Sequence, residues 1–249
     1  MLGGYTTGCA GRTLDPANTI LDGNQTNSVL GLLAPDVAAE FVVEGLTLRK
    51  GLIWYHPGGG LYAVVGTLGT VTVNRNRIEN NTTYHGGGVF ISASTATLPN
   101  NSITGNTSSS SSDCAGGGVY LAATTATLIN NSLMDNMSCY YGGGVCIIYS
   151  FGSVTLFNNI MWHNSGGYGS GTYIVAVKSD VEIIGNNYVL NSGHHLGAIY
   201  LDLDSESNST NLYNNLFLGN IGYDAYIVND GDGDGFKTPV KMMHNNFGP

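Results

Sequence analysis

The residues best suited to bind a metal ion are three aspartates that alternate with glycines near the end of the chain. Asp230, Asp232 and Asp234 lie in the segment DGDGDG, and carboxylates at every second position are typical of calcium loops. The position where an EF-hand needs a bidentate glutamate is Lys241, so the segment is not an EF-hand. Two interpretations remain, a looser calcium site with oxygen ligands and a solvated insertion without metal.

A second set of residues that could bind a ligand is aromatic. One aromatic residue follows a glycine-rich segment at steps of 26 to 30 residues, and Cys146 takes its place once. Such rings, on one outer face, could stack on sugar rings or on a partner protein. Alternatively, outward aromatic residues simply favour strands and pair with like neighbours. The residues are Tyr62, Phe90, Tyr120, Tyr173, Tyr200 and Tyr226.

The four cysteines form no metal-binding pattern such as CxxC. Cys114 and Cys139 each lie shortly before a GGG segment, which would place them about one strand spacing apart on neighbouring turns. This spacing is compatible with a Cys114–Cys139 disulfide, although loop residues shift easily from turn to turn. Cys146 belongs to the outward column and is expected to keep its thiol, and Cys9 has no evident partner.

The sequence offers no set of residues arranged for catalysis. Cleavage of a glycosidic bond uses a pair of carboxylates, or a basic group beside a metal, on one face. Arg75 and Arg77 could supply basic groups, and His163, His194 and His195 lie at turns, but each fits a surface position better. Enzyme activity is left open, a non-catalytic role is preferred, and no catalytic residue is assigned.

The composition argues against two kinds of partner. The net charge is −9 and only 8 residues are Lys or Arg, so nucleic-acid binding is not expected. Acidic polymers such as pectate would be repelled unless a cation bridged them. No apolar run reaches the ~18 residues of a transmembrane helix, so no membrane-spanning segment is predicted.

A repeat supplies the elements that would position these residues. Its first mark is GGG followed by an apolar and an aromatic residue, as in GGGLY at 58–62 and GGGVY at 116–120. Its second mark is an apolar–x–apolar segment that ends in asparagine, and its third is an apolar–x–x–Asn turn. The three marks keep phase along the chain, which indicates a repeat architecture.

Within each repeat the apolar residues alternate with outward ones, as Val119 and Leu121 do around Tyr120. One repeat cannot bury its apolar face alone, whereas stacked repeats can. The pattern predicts an all-β fold, a right-handed parallel β-helix of about eight coils with roughly 27 residues each. We expect a single domain over 1–249, with irregular first coils at 1–57, regular coils at 58–228, and a loop with a final partial coil at 229–249.

The second mark also predicts a ladder of asparagines, one in each coil. Asparagine tolerates left-handed backbone geometry, and its amide can pair with the amides above and below it. The predicted members are Asn76, Asn101, Asn131, Asn159, Asn187, Asn215 and Asn246.

These motifs carry a family resemblance. The segments TILDGN, VEGLTLRKG, NNSITGN and NNSLMDN, alternating with GGGVY, resemble bacterial secreted right-handed β-helix proteins of the pectin-lyase-like superfamily. The pairing of GGG with apolar–x–x–Asn is similar to the repeats of chlamydial polymorphic outer membrane proteins. The resemblance covers nearly the whole chain and implies an extracellular or cell-surface location. It also implies a further N-terminal cap, so we expect a fragment of, or a subunit within, a larger assembly.

Three functions are compatible with these features. The first is a non-catalytic extracellular structural or adhesive module, with end-to-end filament formation through unpaired strand edges. Its partners would be other copies of itself or surface glycans. The second is binding or cleavage of polysaccharide along the coil, and the third is ice binding through a threonine column. No cofactor is expected other than calcium at the aspartate loop.

Overall fold

Each turn of the chain contributes short strands to parallel sheets, and one turn stacks on the next. The computed structural model describes residues 1–5, 11–109, 115–176, 178–203, 209–229 and 240–248. Over these ranges the protein is an all-β parallel solenoid of about seven turns, against about eight predicted from the repeat. A 3-10 turn, Pro16–Asn18, precedes the first strand, and the Asp15 carboxylate that caps it accepts a hydrogen bond from the Ala17 amide.

The largest sheet has 14 strands. The strands of all three sheets are numbered together in chain order. Strands β9 (Val89–Pro99) and β12 (Val119–Ile129) run through both halves of it. The first half is completed by β2 (Leu30–Ala34), β5 (Leu61–Val65), β15 (Val145–Ser150), β19 (Thr172–Ala176), β23 (Ile199–Leu203) and β26 (Ala225–Asn229). The second half is completed by β3 (Glu40–Glu44), β6 (Thr70–Asn74), β16 (Ser153–Phe157), β20 (Asp180–Ile184), β24 (Ser209–Tyr213) and β27 (Val240–Met243).

Two smaller sheets close the coil. The sheet of nine strands comprises β1 (Ile20–Asp22), β4 (Thr47–Arg49), β7 (Arg77–Glu79), β10 (Ser102–Thr104), β13 (Ser132–Met134), β17 (Ile160–Trp162), β21 (Asn187–Val189), β25 (Leu216–Leu218) and β28 (Asn246–Phe247). The sheet of five strands comprises β8 (Thr82–Thr83), β11 (Thr107–Ser108), β14 (Met137–Ser138), β18 (Ser165–Tyr168) and β22 (Ser192–Leu196).

Alternating burial along the strands confirms the predicted inward and outward faces. In β5, Leu61, Ala63 and Val65 are buried, whereas Tyr62 and Val64 are half-buried and face outward. Because neighbouring turns pair in register, residues at one position form a column through the core. The predicted inner columns are buried up to the last described turn, where Met242 is 43% exposed.

The structure contains the predicted asparagine ladder, with two corrections. At two turns the ladder residue is Asn186 rather than Asn187, and Asn245 rather than Asn246. The ladder position lies two residues before the next buried apolar side chain and directly after a residue with positive φ. Asn187 and Asn246 fail this requirement, since they are the first residues of β21 and β28. The first asparagine ladder is therefore Asn76, Asn101, Asn131, Asn159, Asn186, Asn215 and Asn245.

A second asparagine ladder runs parallel to the first, at the apolar–x–x–Asn turns. There the Asn106 side-chain amide donates to Asn136 Oδ1 at 3.0 Å and to the Ile78 carbonyl at 2.9 Å. A residue with positive φ precedes each rung, for example Asp135 at 53°. The members of this ladder are Asn81, Asn106, Asn136, Asn164, Asn191 and Asn220.

Each rung joins three turns of the coil. The Asn131 side-chain amide donates to Asn159 Oδ1 at 2.9 Å and to the Leu98 carbonyl at 2.6 Å. Its Oδ1 accepts from the backbone amide of Asn101 at 2.9 Å and from the side-chain amide of Asn101 at 3.0 Å. Asn131 is 2% exposed, so water cannot replace these partners easily.

We predict that Asn131→Ala lowers the free energy of unfolding by about 3 kcal/mol, because it leaves a buried carbonyl and a buried amide without partners. Urea denaturation measures the change. The matched control is Asn130→Gly, at the neighbouring exposed position, where φ is 56° and glycine keeps the backbone geometry. We expect the control to cost less than about 1 kcal/mol, and equal losses in both variants would contradict the ladder's role.

Aromatic rings also stack inside the coil. Tyr188, Phe217 and Phe247 occupy one inner column, with ring centroids 5.2 Å and 5.0 Å apart in successive pairs. Tyr188 is fully buried, and its hydroxyl hydrogen-bonds Thr172 Oγ1 at 3.2 Å. Burial raises the pKa of Tyr188 well above its ordinary value, and the Thr172 hydrogen bond opposes that rise only in part.

This raised pKa predicts a loss of stability at alkaline pH. Above about pH 10 the unfolded chain releases the Tyr188 proton, whereas the folded chain retains it. The contribution of Tyr188 to the free energy of unfolding therefore falls as the pH rises. Tyr188→Phe should cost about 1 kcal/mol near neutral pH and progressively less above pH ~10, by about 1.4 kcal/mol per pH unit. Urea denaturation of both proteins near neutral pH and near pH ~11 measures the difference. A constant difference would refute this assignment.

Candidate functional site

The six aromatic residues predicted to share an outer face do form one column. In-register pairing of the first half of the largest sheet places them at the same position on successive turns. This geometry is confirmed, whereas ligand binding by the column stays a prediction. The first aromatic column is Tyr62, Phe90, Tyr120, Tyr173, Tyr200 and Tyr226, and Cys146 interrupts it.

Rings of the first aromatic column pack on one another. The Phe90 and Tyr120 centroids are 5.1 Å apart with planes 7° from parallel, and those of Tyr173 and Tyr200 are 5.1 Å apart at 17°. Their spacing is close to that of the strands that carry them. In these pairs the ring faces lie against each other, whereas Tyr62 is tilted by 42° relative to Phe90. Tyr226, in the last described turn, is 36% exposed.

A second aromatic column lies beside the first, and the sequence analysis missed it. It consists of aromatic or imidazole side chains that directly precede a glycine with positive φ, together with Tyr223. Its members contact the first column: Tyr141 lies 4.6 Å from Tyr173, and His85 lies 5.4 Å from Tyr120, between ring centroids. The sequence contains a signal for this column, because His85, Tyr141 and Tyr168 each directly precede a glycine. The second aromatic column is His85, Tyr141, Tyr168 and Tyr223.

The two columns together form an aromatic face, and two of its tyrosines, Tyr173 and Tyr200, have a raised pKa. Burial raises the pKa of Tyr173, and so do the nearby ionisable groups Cys146, Tyr141 and Asp202. Burial also raises the pKa of Tyr200, with Asp202 as the next cause. These hydroxyls can donate and accept hydrogen bonds but carry no charge over the physiological range.

The outward column next to the aromatic rings is mostly aliphatic. It lies two residues further along each strand, and its residues are half-buried. Asp202 is its single carboxylate among the described residues. Its members are Val64, Ser92, Ala122, Ile148, Val175, Asp202 and Val228.

At one place both aromatic columns carry a small residue instead of a ring, and the second column is interrupted again at Leu196. Cys146 was expected to lie outward, but its side chain is fully buried because it is shorter than the rings around it. Ala115 takes the position of the second column one turn earlier and bridges to Tyr141. Beside these two residues is a cavity of about 340 Å³, which Tyr120 and Tyr173 also line.

The predicted calcium ligands Asp230, Asp232 and Asp234 lie outside the described residues, so that prediction is untested. Over the ranges that the structure does describe, no three His, Cys, Asp or Glu side chains come together as a metal site.

Of the two cysteines predicted to pair, Cys139 is disulfide-bonded. Cys114, like Cys9, lies outside the described residues, so the identity of the pair remains a prediction. Cys146 keeps its thiol.

The basic side chains considered for catalysis lie in separate surface contacts. Arg75 is 3.9 Å from Glu44, Arg77 is 4.0 Å from Glu79, and His163 Nδ1 is 2.6 Å from an oxygen of an exposed aspartate. Exposed pairs of this kind contribute little stability. The side chains of His194 and His195 lie outside what the structure describes.

The threonine column is in register and has a second column beside it. Thr72, Thr97, Thr127 and Thr155 occupy one outward position on successive strands. Thr70, Thr95 and Thr125 occupy the preceding outward position. Glu182 follows Thr155 and ends the uncharged array, and ice binding through it stays a hypothesis.

No protein-family model, curated protein or solved structure matches this chain. The part of the chain that the structure describes contains no helix of the length and apolarity needed to cross a membrane. The parallel β-solenoid agrees with a β-helix fold, whereas the resemblance to the pectin-lyase-like superfamily stays a prediction that no comparison supports.

Proposed function

We propose that the protein is a non-catalytic adhesive module of the cell surface, which holds neutral glycans through its aromatic face. The observation that carries the proposal is the aromatic face itself, two adjoining columns of rings that extend from Tyr62 to Tyr226. Scattered exposed apolar residues are ordinary on protein surfaces, whereas a contiguous patch marks an interaction site.

The scaffold favours binding because the rings are already ordered. Each ring of the first aromatic column packs against at least one neighbouring ring, on strands whose register is maintained by the two asparagine ladders. A ligand therefore binds without having to order flexible side chains, which is a large cost at softer surfaces. Tyrosine further combines a large contact area with few rotatable bonds and a polar edge.

The charge of this face favours a neutral glycan. The net charge of the chain is −9, which disfavours acidic polymers. Adhesion is preferred to cleavage because the first aromatic column and the aliphatic column beside it contain one carboxylate among the described residues, that of Asp202. Glycosidases use a pair of carboxylates. The disulfide at Cys139 supports an oxidising, extracellular location, as does the family resemblance.

We predict that the triple variant Tyr62→Ser, Tyr200→Ser, Tyr226→Ser binds neutral polysaccharide at least about tenfold more weakly, because three stacking surfaces are removed. A glycan array that carries neutral and acidic polysaccharides measures the loss. Tyr55→Ser, Phe157→Ser, Tyr213→Ser is the matched control, since it removes three rings outside the aromatic face. Equal binding by both triple variants, or no binding of the parent protein to any glycan, would overturn the proposal.

A structural role through assembly of copies is the second form of this proposal. In the last described turn Met242 and Phe247 occupy core columns, yet they are 43% and 50% exposed. A following turn, from this chain or from another copy, would cover them. If another copy does so, sedimentation velocity should show species heavier than the monomer that grow with concentration, and Phe247→Glu should abolish them. Monomer alone at high concentration would rule out this form.

A further inference from the structure

The break in the aromatic face is a shaped opening rather than a flat gap. Ala115 and Cys146 lie on successive turns and at neighbouring column positions, where their counterparts are the rings of His85 and Tyr120. A cavity of about 340 Å³ lies beside these two residues. The rings of Tyr120 and Tyr173 stand two turns apart, about 9.6 Å at the usual strand spacing. Tyr141 packs 4.6 Å from Tyr173, between ring centroids, so the open part of the gap lies on the Tyr120 side.

A strained residue stands at the edge of this cavity. The register between β15 and β19 shifts between Ile147 and Ser150, which is a β-bulge with one extra residue on β15. Within the bulge, Tyr149 has φ of 53°, is 63% exposed, and lines the cavity. A bulky residue in left-handed geometry costs about 1–2 kcal/mol, and such strain concentrates at functional sites, as bulges do.

The cavity lining suits a ligand with an apolar face and a polar edge. Ring faces of Tyr120, Tyr141 and Tyr173 and the aliphatic side chains of Ile148 and Val175 form its walls. Phenol and imidazole groups give these walls polar edges that donate and accept hydrogen bonds. Among the described residues, the lining contains no carboxylate, lysine or arginine, so these residues offer no counter-charge to an acidic sugar.

We propose that this cavity is a subsite for a single neutral pyranose ring, which inserts beside Tyr120 over Ala115 and Cys146 and is covered at its edge by Tyr149. The C–H face of the pyranose lies on the aromatic walls, and its hydroxyl groups meet the phenol edges. The subsite rests on the proposed glycan adhesion and names the place where a chain end or side branch is held.

The first test removes the edge of the cavity without disturbing the fold. Tyr149→Asn keeps a residue that tolerates the left-handed geometry, and Tyr55→Asn is the control at a fully exposed tyrosine elsewhere. The probes are maltose, cellobiose and N,N′-diacetylchitobiose, measured by titration calorimetry. We expect Tyr149→Asn to weaken the best-bound disaccharide about fivefold to tenfold and Tyr55→Asn to leave it unchanged. Equal affinities in both variants would overturn the subsite.

The second test fills the cavity. Cys146→Tyr supplies the ring that the first aromatic column lacks, and Thr155→Tyr adds a ring in the same turn on another face. We expect Cys146→Tyr to lose disaccharide binding by more than about tenfold while binding to long neutral polysaccharide persists on the remaining rings. Retained disaccharide binding in folded Cys146→Tyr would overturn the subsite. Circular dichroism verifies that Cys146→Tyr folds. If it does not fold, the comparison of Tyr149→Asn with Tyr55→Asn tests the subsite instead.

The two proposals fail in different ways. If the parent protein binds no neutral polysaccharide on the array, glycan adhesion fails and the subsite with it. If the array signal depends on Tyr62, Tyr200 and Tyr226 but the disaccharide affinity is unchanged in Tyr149→Asn and Cys146→Tyr, adhesion stands and the subsite is wrong. Digalacturonate and N-acetylphenylalanine amide serve as further probes, and preferential binding of either would overturn the assignment to a neutral sugar.

Discussion

In-register pairing of successive turns is the interaction on which the rest of the structure depends. Backbone hydrogen bonds between parallel strands set the spacing, and the two asparagine ladders prevent a turn from slipping, since a shifted rung would leave buried amides and carbonyls without partners. A slip of one residue would also exchange the inward and outward faces. The ladders therefore protect the core and the outer surface together.

The same register produces the aromatic face. A ring at one position on every turn must lie over the ring of the turn before, so the stack follows from the repeat without any further device. The residues with positive φ before each rung also maintain the register, because they turn the chain sharply at the same place in each coil, so that the next strand begins in phase. Asparagine and glycine fill many of these positions since they tolerate positive φ.

Three departures from the repeat meet at one cavity, and a further register shift lies between β18 and β22. Ala115 and Cys146 are smaller than their counterparts, and β15 carries a bulge that turns Tyr149 toward solvent. A repeat that only had to stack would gain nothing from these departures, which interrupt ring contacts and place a tyrosine in strained geometry. Their coincidence at one cavity is why we assign the subsite for a single sugar ring there.

The strands, the inner columns and the first aromatic column could be predicted from the residues alone, because the periodicity of two and the repeat of about 27 residues are both local properties of the chain. The sequence pattern misplaced the ladder at Asn187 and Asn246, where two adjacent asparagines compete and the left-handed turn selects the first. The packing of Tyr141 against Tyr173 and the bulge that contains Tyr149 became evident only from the folded structure. Both depend on packing between turns, whose side chains meet at distances that the sequence does not encode.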